Sequence, residues 1–169
     1  RQVGVGDGST GTVNHAGGKA HIRALHIGDN DSNARGTYNL YQGTLATRHL
    51  RLKDGGTLNR APSSESTRIS VAENWDQDAG GTFQIGLGDF DVTPVNVGGD
   101  VTFAYGAELE PVWLDEEQSV SGTVTLMTWE GELNDEGLTL ADGVDDALWS
   151  FELHENDNGG GYADYVVAD

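Results

Sequence analysis

The sequence contains no cysteine in its 169 residues. That excludes a disulfide framework, a thiolate metal site and a thiol nucleophile. Proline is nearly absent, at 3 residues. No stretch reaches the ~18 consecutive apolar residues of a helical membrane crossing. No signal-peptide pattern is visible. The chain opens Arg1-Gln2-Val3 inside a repeat, which reads as a processed or excised segment. The most telling absence is of positive charge. All nine Lys and Arg residues lie between Arg1 and Arg68, alongside five acids. From Glu73 to Asp169 there are 23 acids and no base. The net charge of −19 is therefore strongly polarised. Such asymmetry is a statement about partners more than about fold. It argues against nucleic acid, which a surplus of acid repels. The simplest partner for a basic front and an acidic back is another copy of the chain, head to tail.

Glycine is abundant, at 25 residues. With so little proline, that fits many tight turns between short strands. A short unit of the form apolar-x-apolar-x-acid-(Gly or Asn) recurs from Val3, Leu25, Leu50 and Ile69. A second unit, Gly-Thr-apolar-(Asn or Gln), follows each copy, from Gly11, Gly36, Gly56 and Gly81. Its spacings are 25, 20 and 25 residues. A period of that length with two-residue alternation predicts a parallel β-solenoid, or β-helix, over residues 1–85. Inward columns are expected to be Val3/Leu25/Leu50/Ile69, Val5/Ile27/Leu52/Val71 and Val13/Tyr38/Leu58/Phe83. Asp, Asn and Gly mark the corners.

The region 86–169 is expected to be an acidic, β-rich continuation of the solenoid, closed by an antiparallel, sandwich-like cap. Its strands are expected at 91–97, 101–105, 111–114, 120–129, 138–140, 148–153 and 162–167, with Trp113, Trp129 and Trp149 filling the cap. No helical periodicity is present, and the fold class is all-β.

The run Leu25-His26-Ile27-Gly28-Asp29, leading to Gly36-Thr37-Tyr38-Asn39 and on to Leu45, resembles the extracellular repeat proteins of the autotransporter-passenger and PEP-CTERM type. The back, with strands Val124 to Trp129, Leu148 to Leu153 and Tyr162 to Val167, is similar to the segment that often follows those repeats. The resemblance implies a secreted or cell-surface parallel β-helix and carries over no catalytic residue. With no anchor motif after Asp169, the expectation is a released, self-assembling subunit.

Four groups of residues have types that could carry chemistry or binding. The carboxylate pairs Asp89/Asp91, Glu130/Glu132 and Asp145/Asp146 have the residue types of glycoside chemistry, which needs a fixed separation and a groove. Solvated turns explain them better, and no Gly-x-Ser-x-Gly elbow is present. The chain is therefore expected not to be an enzyme. The oxygen-rich corners offer Ca²⁺ the ligands Asp29, Asp31, Asp142, Asp145, Asp146 and Asp157, with turn formation as the competing role. The five His residues show no zinc spacing. Finally, outward positions are expected in two lines, His26–Arg51–Ser70 and Ala24–His49–Arg68. Arg23, His26, Arg48, His49, Arg51 and Arg68 would then form a basic assembly face. The leading expectation is a non-enzymatic extracellular subunit that self-assembles into a fibre or surface layer. The alternative is a carbohydrate- or surface-binding adhesin module, with Tyr41, Trp75 and Tyr105 stacking on sugars of a polysaccharide.

Overall fold

A computed structural model of the chain describes residues 1–4, 8–30, 33–60, 67–87, 92–113, 122–145, 149–157 and 159–167. The elements are all strands: β1 (Gln2–Val3), β2 (Thr10–Ile27), β3 (Arg35–Leu52), β4 (Gly56–Arg60), β5 (Thr67–Val71), β6 (Trp75–Gln77), β7 (Thr82–Leu87) and β8 (Val95–Val97). They continue with β9 (Val101–Phe103), β10 (Glu108–Trp113), β11 (Gly122–Trp129), β12 (Leu133–Asp135), β13 (Thr139–Leu140), β14 (Trp149–Glu155) and β15 (Gly161–Val167).

The chain coils as a β-solenoid with three faces. The first face stacks the front of β2 and β3, then β4, β7, β10 and β13, all parallel. The second stacks the middle of β2 and β3, then β5, β8 and β11. The third stacks β1, the ends of β2 and β3, then β6, β9 and β12. Strands β2 and β3 each run around a whole rung, and their pairing slips between His15 and Lys19, where the coil turns from the first face to the second. At the far end β15 pairs antiparallel with β11, and β14 with β15. The cap is thus a hairpin added to the second face, within the same sheet.

Alternation explains the core. On the first face Tyr38, Leu40, Leu58, Phe83, Ile85 and Leu109 point inward and are buried. On the third, Leu25, Leu50, Trp75 and Val101 stack in one column, and Ile27, Leu52, Gln77 and Phe103 in the next. On the second, Leu45 and Ile69 stack, then Val71, Val97 and Trp129. Each buried Leu, Ile or Phe contributes about 1.5–3 kcal/mol from leaving water.

The Gly-Thr pair has a steric cause. A Cβ on Gly36 would strike the carbonyl oxygen of Val3, and one on Gly56 that of Ile27. Each glycine begins the first face where the chain crosses over the end of the third face of the rung below. Only hydrogen fits at that crossing.

The structure corrects the expected register in three places. Val3 stacks on Ile27, not on Leu25. Ile69 and Val71 belong to the second face, above Leu45 and Thr47; Trp75 and Gln77 continue the column of Leu50 and Leu52. Trp75 is wholly buried and packs edge-on against Phe83 at 5.0 Å, so it is no outward sugar platform. Val5 lies outside the described residues, as do the side chains of Trp113 and Trp149. The solenoid pairing also passes residue 85 without a break and continues to β13. The repeat fades there because outward Thr and Asn give way to Glu108 and Glu110, while the inward positions persist.

Candidate functional surface

A solenoid climbs in sequence order, so position along the chain becomes height along the axis. Every Lys and Arg therefore sits at or below the rung that contains β5. The rungs above it carry acids only. The polarity seen in the sequence is an axial polarity of the folded coil. Outward side chains project from the flanks, and each flank has its own character.

Over the lower rungs the first flank is mostly uncharged; its cation is Arg35, exposed at the start of β3 opposite Thr10. Thr12, Thr37, Thr57 and Thr82 are in register, beside Asn14, Asn39, Asn59 and Gln84. The asparagines form a ladder in which Asn39 Nδ2 donates to Asn14 Oδ1 at 2.8 Å and Asn59 Nδ2 donates to Asn39 Oδ1 at 3.1 Å. Such a ladder ties rung to rung and satisfies its own amides. Higher up, Glu108 and Glu110 take these positions.

The third flank sets bases against acids of the same molecule. His26, Arg51, Asp76, Thr102 and Asn134 stand in one line. Arg51 forks onto Asp78, with Nε 3.0 Å from Oδ2 and Nη2 3.1 Å from Oδ1. His49 Nε2 lies 2.7 Å from Glu73 Oε2, and Arg48 Nε meets Glu73 Oε1. Lys53 Nζ is 3.9 Å from Asp29 Oδ1. Burial pushes the Asp76 carboxyl above its ordinary range, with Arg51 opposing. Burial also lowers His26, aided by the charges of Lys53 and Arg51.

The expected lines of basic residues are rearranged. Above Arg51 comes Asp76, not Ser70; Ser70 follows Ala46 and Arg68 follows Thr44, both on the second flank. The cause is that every face carries an apolar-x-apolar strand, so the Ile69-Ser70-Val71 stretch imitates a third-face strand. Arg23, Arg48 and Arg68 therefore border the second flank, while His26, His49 and Arg51 lie on the third. Along the second flank Lys19, Thr44 and Arg68 form one line, and His21, Ala46, Ser70, Asn96 and Thr128 the next.

Among the oxygen-rich corners, Asn30 does turn chemistry. Its Nδ2 donates to Asp78 Oδ2 at 2.7 Å, and its Oδ1 accepts from the Asp54 N–H at 2.9 Å. Asp142, Asp145 and Asp157 are exposed; Asp31 and Asp146 lie outside the described residues. Among the described residues no three His or acidic side chains come together as a metal cluster. Of the carboxylate pairs, Glu130 and Glu132 are exposed beside the corner before β12; Asp89, Asp91 and Asp146 lie outside the described residues. Tyr41 and Tyr105 are exposed.

One residue was missed. Arg60, one of the nine cationic residues of the front of the chain, points into the coil and is 1% exposed. It occupies the place in Gly-Thr-Leu-Asn-Arg that Leu40 holds in Gly-Thr-Tyr-Asn-Leu. Alternation within that unit was the signal that could have found it.

No family model matches the chain, and no curated protein or solved structure matches it either.

Proposed function

We propose that the chain is a non-enzymatic structural subunit of an extracellular fibre or surface layer, associating end to end with copies of itself. The observation that carries this reading is the axial polarity of charge. A net charge of −19 opposes random contact between copies. Head-to-tail order alone sets the basic lower rungs of one copy against the acidic upper rungs of the next. An interface of that kind does not close on itself and grows as a filament. Strand edges at the rung ends supply backbone donors and acceptors for the contact.

Arg48, His49, Arg51 and Lys53 point from the flanks and meet acids of their own molecule. Their part in association is through the long-range field, not through direct contact at the rung ends. The likeness of the Gly-Thr-Tyr-Asn units to autotransporter-passenger and PEP-CTERM repeats supports an extracellular setting. Sedimentation velocity over a concentration series tests the proposal. The expected result at low salt is a ladder of species at multiples of the monomer mass. A single monomeric species at every concentration overturns it.

A further inference from the structure

The second flank differs from the other two over its lower rungs. It gathers Lys19, His21 and Arg23 from β2, Arg48 from β3 and Arg68 from β5. Among the described residues the acid at its border is Glu73, which holds Arg48 at the rim and also meets His49. Between these cations the side chains are small. Ala46, Ser70 and Ala72 floor an open trough of about 430 Å³, bounded by His21, Arg23 and Arg48. Lys19 and Arg68 stand in one line along the axis, two residues from the floor line of His21, Ala46 and Ser70. The floor line continues upward through Asn96 and Thr128, which are uncharged and joined by a hydrogen bond of 3.0 Å. Among the described residues, the acids of the upper rungs thus lie off the line on which the trough sits.

We propose that this trough binds a flexible anionic polysaccharide. Its carboxylate or sulfate groups would meet Arg23 and Arg48 on one wall and Lys19 and Arg68 on the other. Its hydroxyl groups would bond to Ser70 on the floor and to Thr44, which stands between Lys19 and Arg68. Guanidinium groups suit planar or tetrahedral oxyanions because they donate in a fork. A shallow, polar, small-residue floor fits a ribbon of sugars and offers no apolar pocket for a peptide anchor.

The patch is short, about 13 Å along the strands and about 10 Å up the axis from strand and rung spacings. Duplex nucleic acid carries a charge every ~1.7 Å over a stiff rod and would be driven across the acidic rungs. A flexible chain can follow the strand direction and avoid them. At physiological salt the screening length is ~8 Å, so distant acids weigh little against direct contacts. The site does not depend on end-to-end association.

The test is retention of the full chain on immobilised polygalacturonate, dextran sulfate and neutral dextran, eluted with salt. The expected result is retention on an anionic resin and none on neutral dextran; the two anionic arms separate carboxylate from sulfate recognition. The double variant Lys19→Ser, Arg68→Ser should bind about tenfold more weakly, the scale of two exposed charge contacts. Arg51→Ser, on the third flank, should elute with the parent. If the double variant fails to fold, Ser70→Glu, at an exposed outward position, should abolish retention instead. Three results overturn the proposal. The parent could run through both anionic resins. The trough variants could elute with the parent. The trough variants could lose self-association while keeping their retention, which would make the trough a contact for the acidic end of a second copy.

Discussion

Arg60 and Thr67 are joined twice inside the coil: Arg60 Nε donates to Thr67 Oγ1 at 3.1 Å, and Nη2 donates to Thr67 O at 3.0 Å. A third bond runs from Nη1 to Thr93 O at 2.5 Å. The guanidinium therefore ties the first face of its rung to the start of the second and to the segment before β8. Burial lowers its pKa to about 10, so it remains charged at neutral pH. A lysine ammonium has no fork and cannot reach these acceptors together. Arg60→Lys should cost about 2–3 kcal/mol, the scale of lost charge-assisted bonds and unsatisfied buried acceptors. Urea unfolding checks it.

Leu52 lies between Ile27 below and Gln77 above, with no exposed surface. Leu52→Asp would bury a carboxylate in an apolar column. The expected loss is several kcal/mol, on the order of an uncompensated buried charge. An unchanged melting temperature would show that the column does not pack as described.

The part of the fold legible in the sequence is the part whose outward residues repeat. Thr12, Thr37, Thr57 and Thr82 fall in one register line because the asparagine ladder and the glycine crossing demand the same residues on each rung. The third face was harder to read. Its inward positions include Gln77, which is buried and donates through Nε2 to Gly81 O at 2.8 Å and Glu108 O at 2.7 Å. A polar residue satisfied by backbone carbonyls breaks the apolar pattern without breaking the core. Arg60 disguises the first face in the same way. The basic surface was legible as composition but not as geometry. Alternation says that a residue points out, while the face it leaves from depends on where the corners fall. Corner lengths differ from rung to rung, so Arg68 and Arg51 end on different flanks.

Gly56 is the clearest steric test of the coil. An added Cβ would meet backbone of the rung below, the Ile27 carbonyl oxygen, which no side-chain rotation relieves. Gly56→Ala should destabilise by about 1–3 kcal/mol, the usual range for overpacking. Gly8→Ala, which meets nothing within 4 Å, carries only the strain of its positive φ and should cost less. Parallel thermal melts compare the two.

His26 should make the protein sensitive to mild acid. Its pKa is lowered in the folded state by burial first and then by Lys53 and Arg51. The unfolded chain therefore binds the proton more readily. Stability rises with pH wherever the unfolded state holds more protons, so the His26 contribution is adverse below its unfolded value of about 6.5 and vanishes above it. The drop in melting temperature from about pH 7.5 to about pH 5 should be smaller in His26→Gln than in the parent. Equal drops would remove His26 as the cause.

In the proposed assembly, axial charge polarity drives end-to-end association. The direct measurement is the initial rate of growth by light scattering, at one protein concentration, in roughly 0.1 M and roughly 1 M salt, across which the screening length falls from ~10 Å to ~3 Å. The expected result is growth at the lower salt and a rate that falls steeply at the higher. Equal rates at the two salt concentrations, or no growth at either, would contradict it.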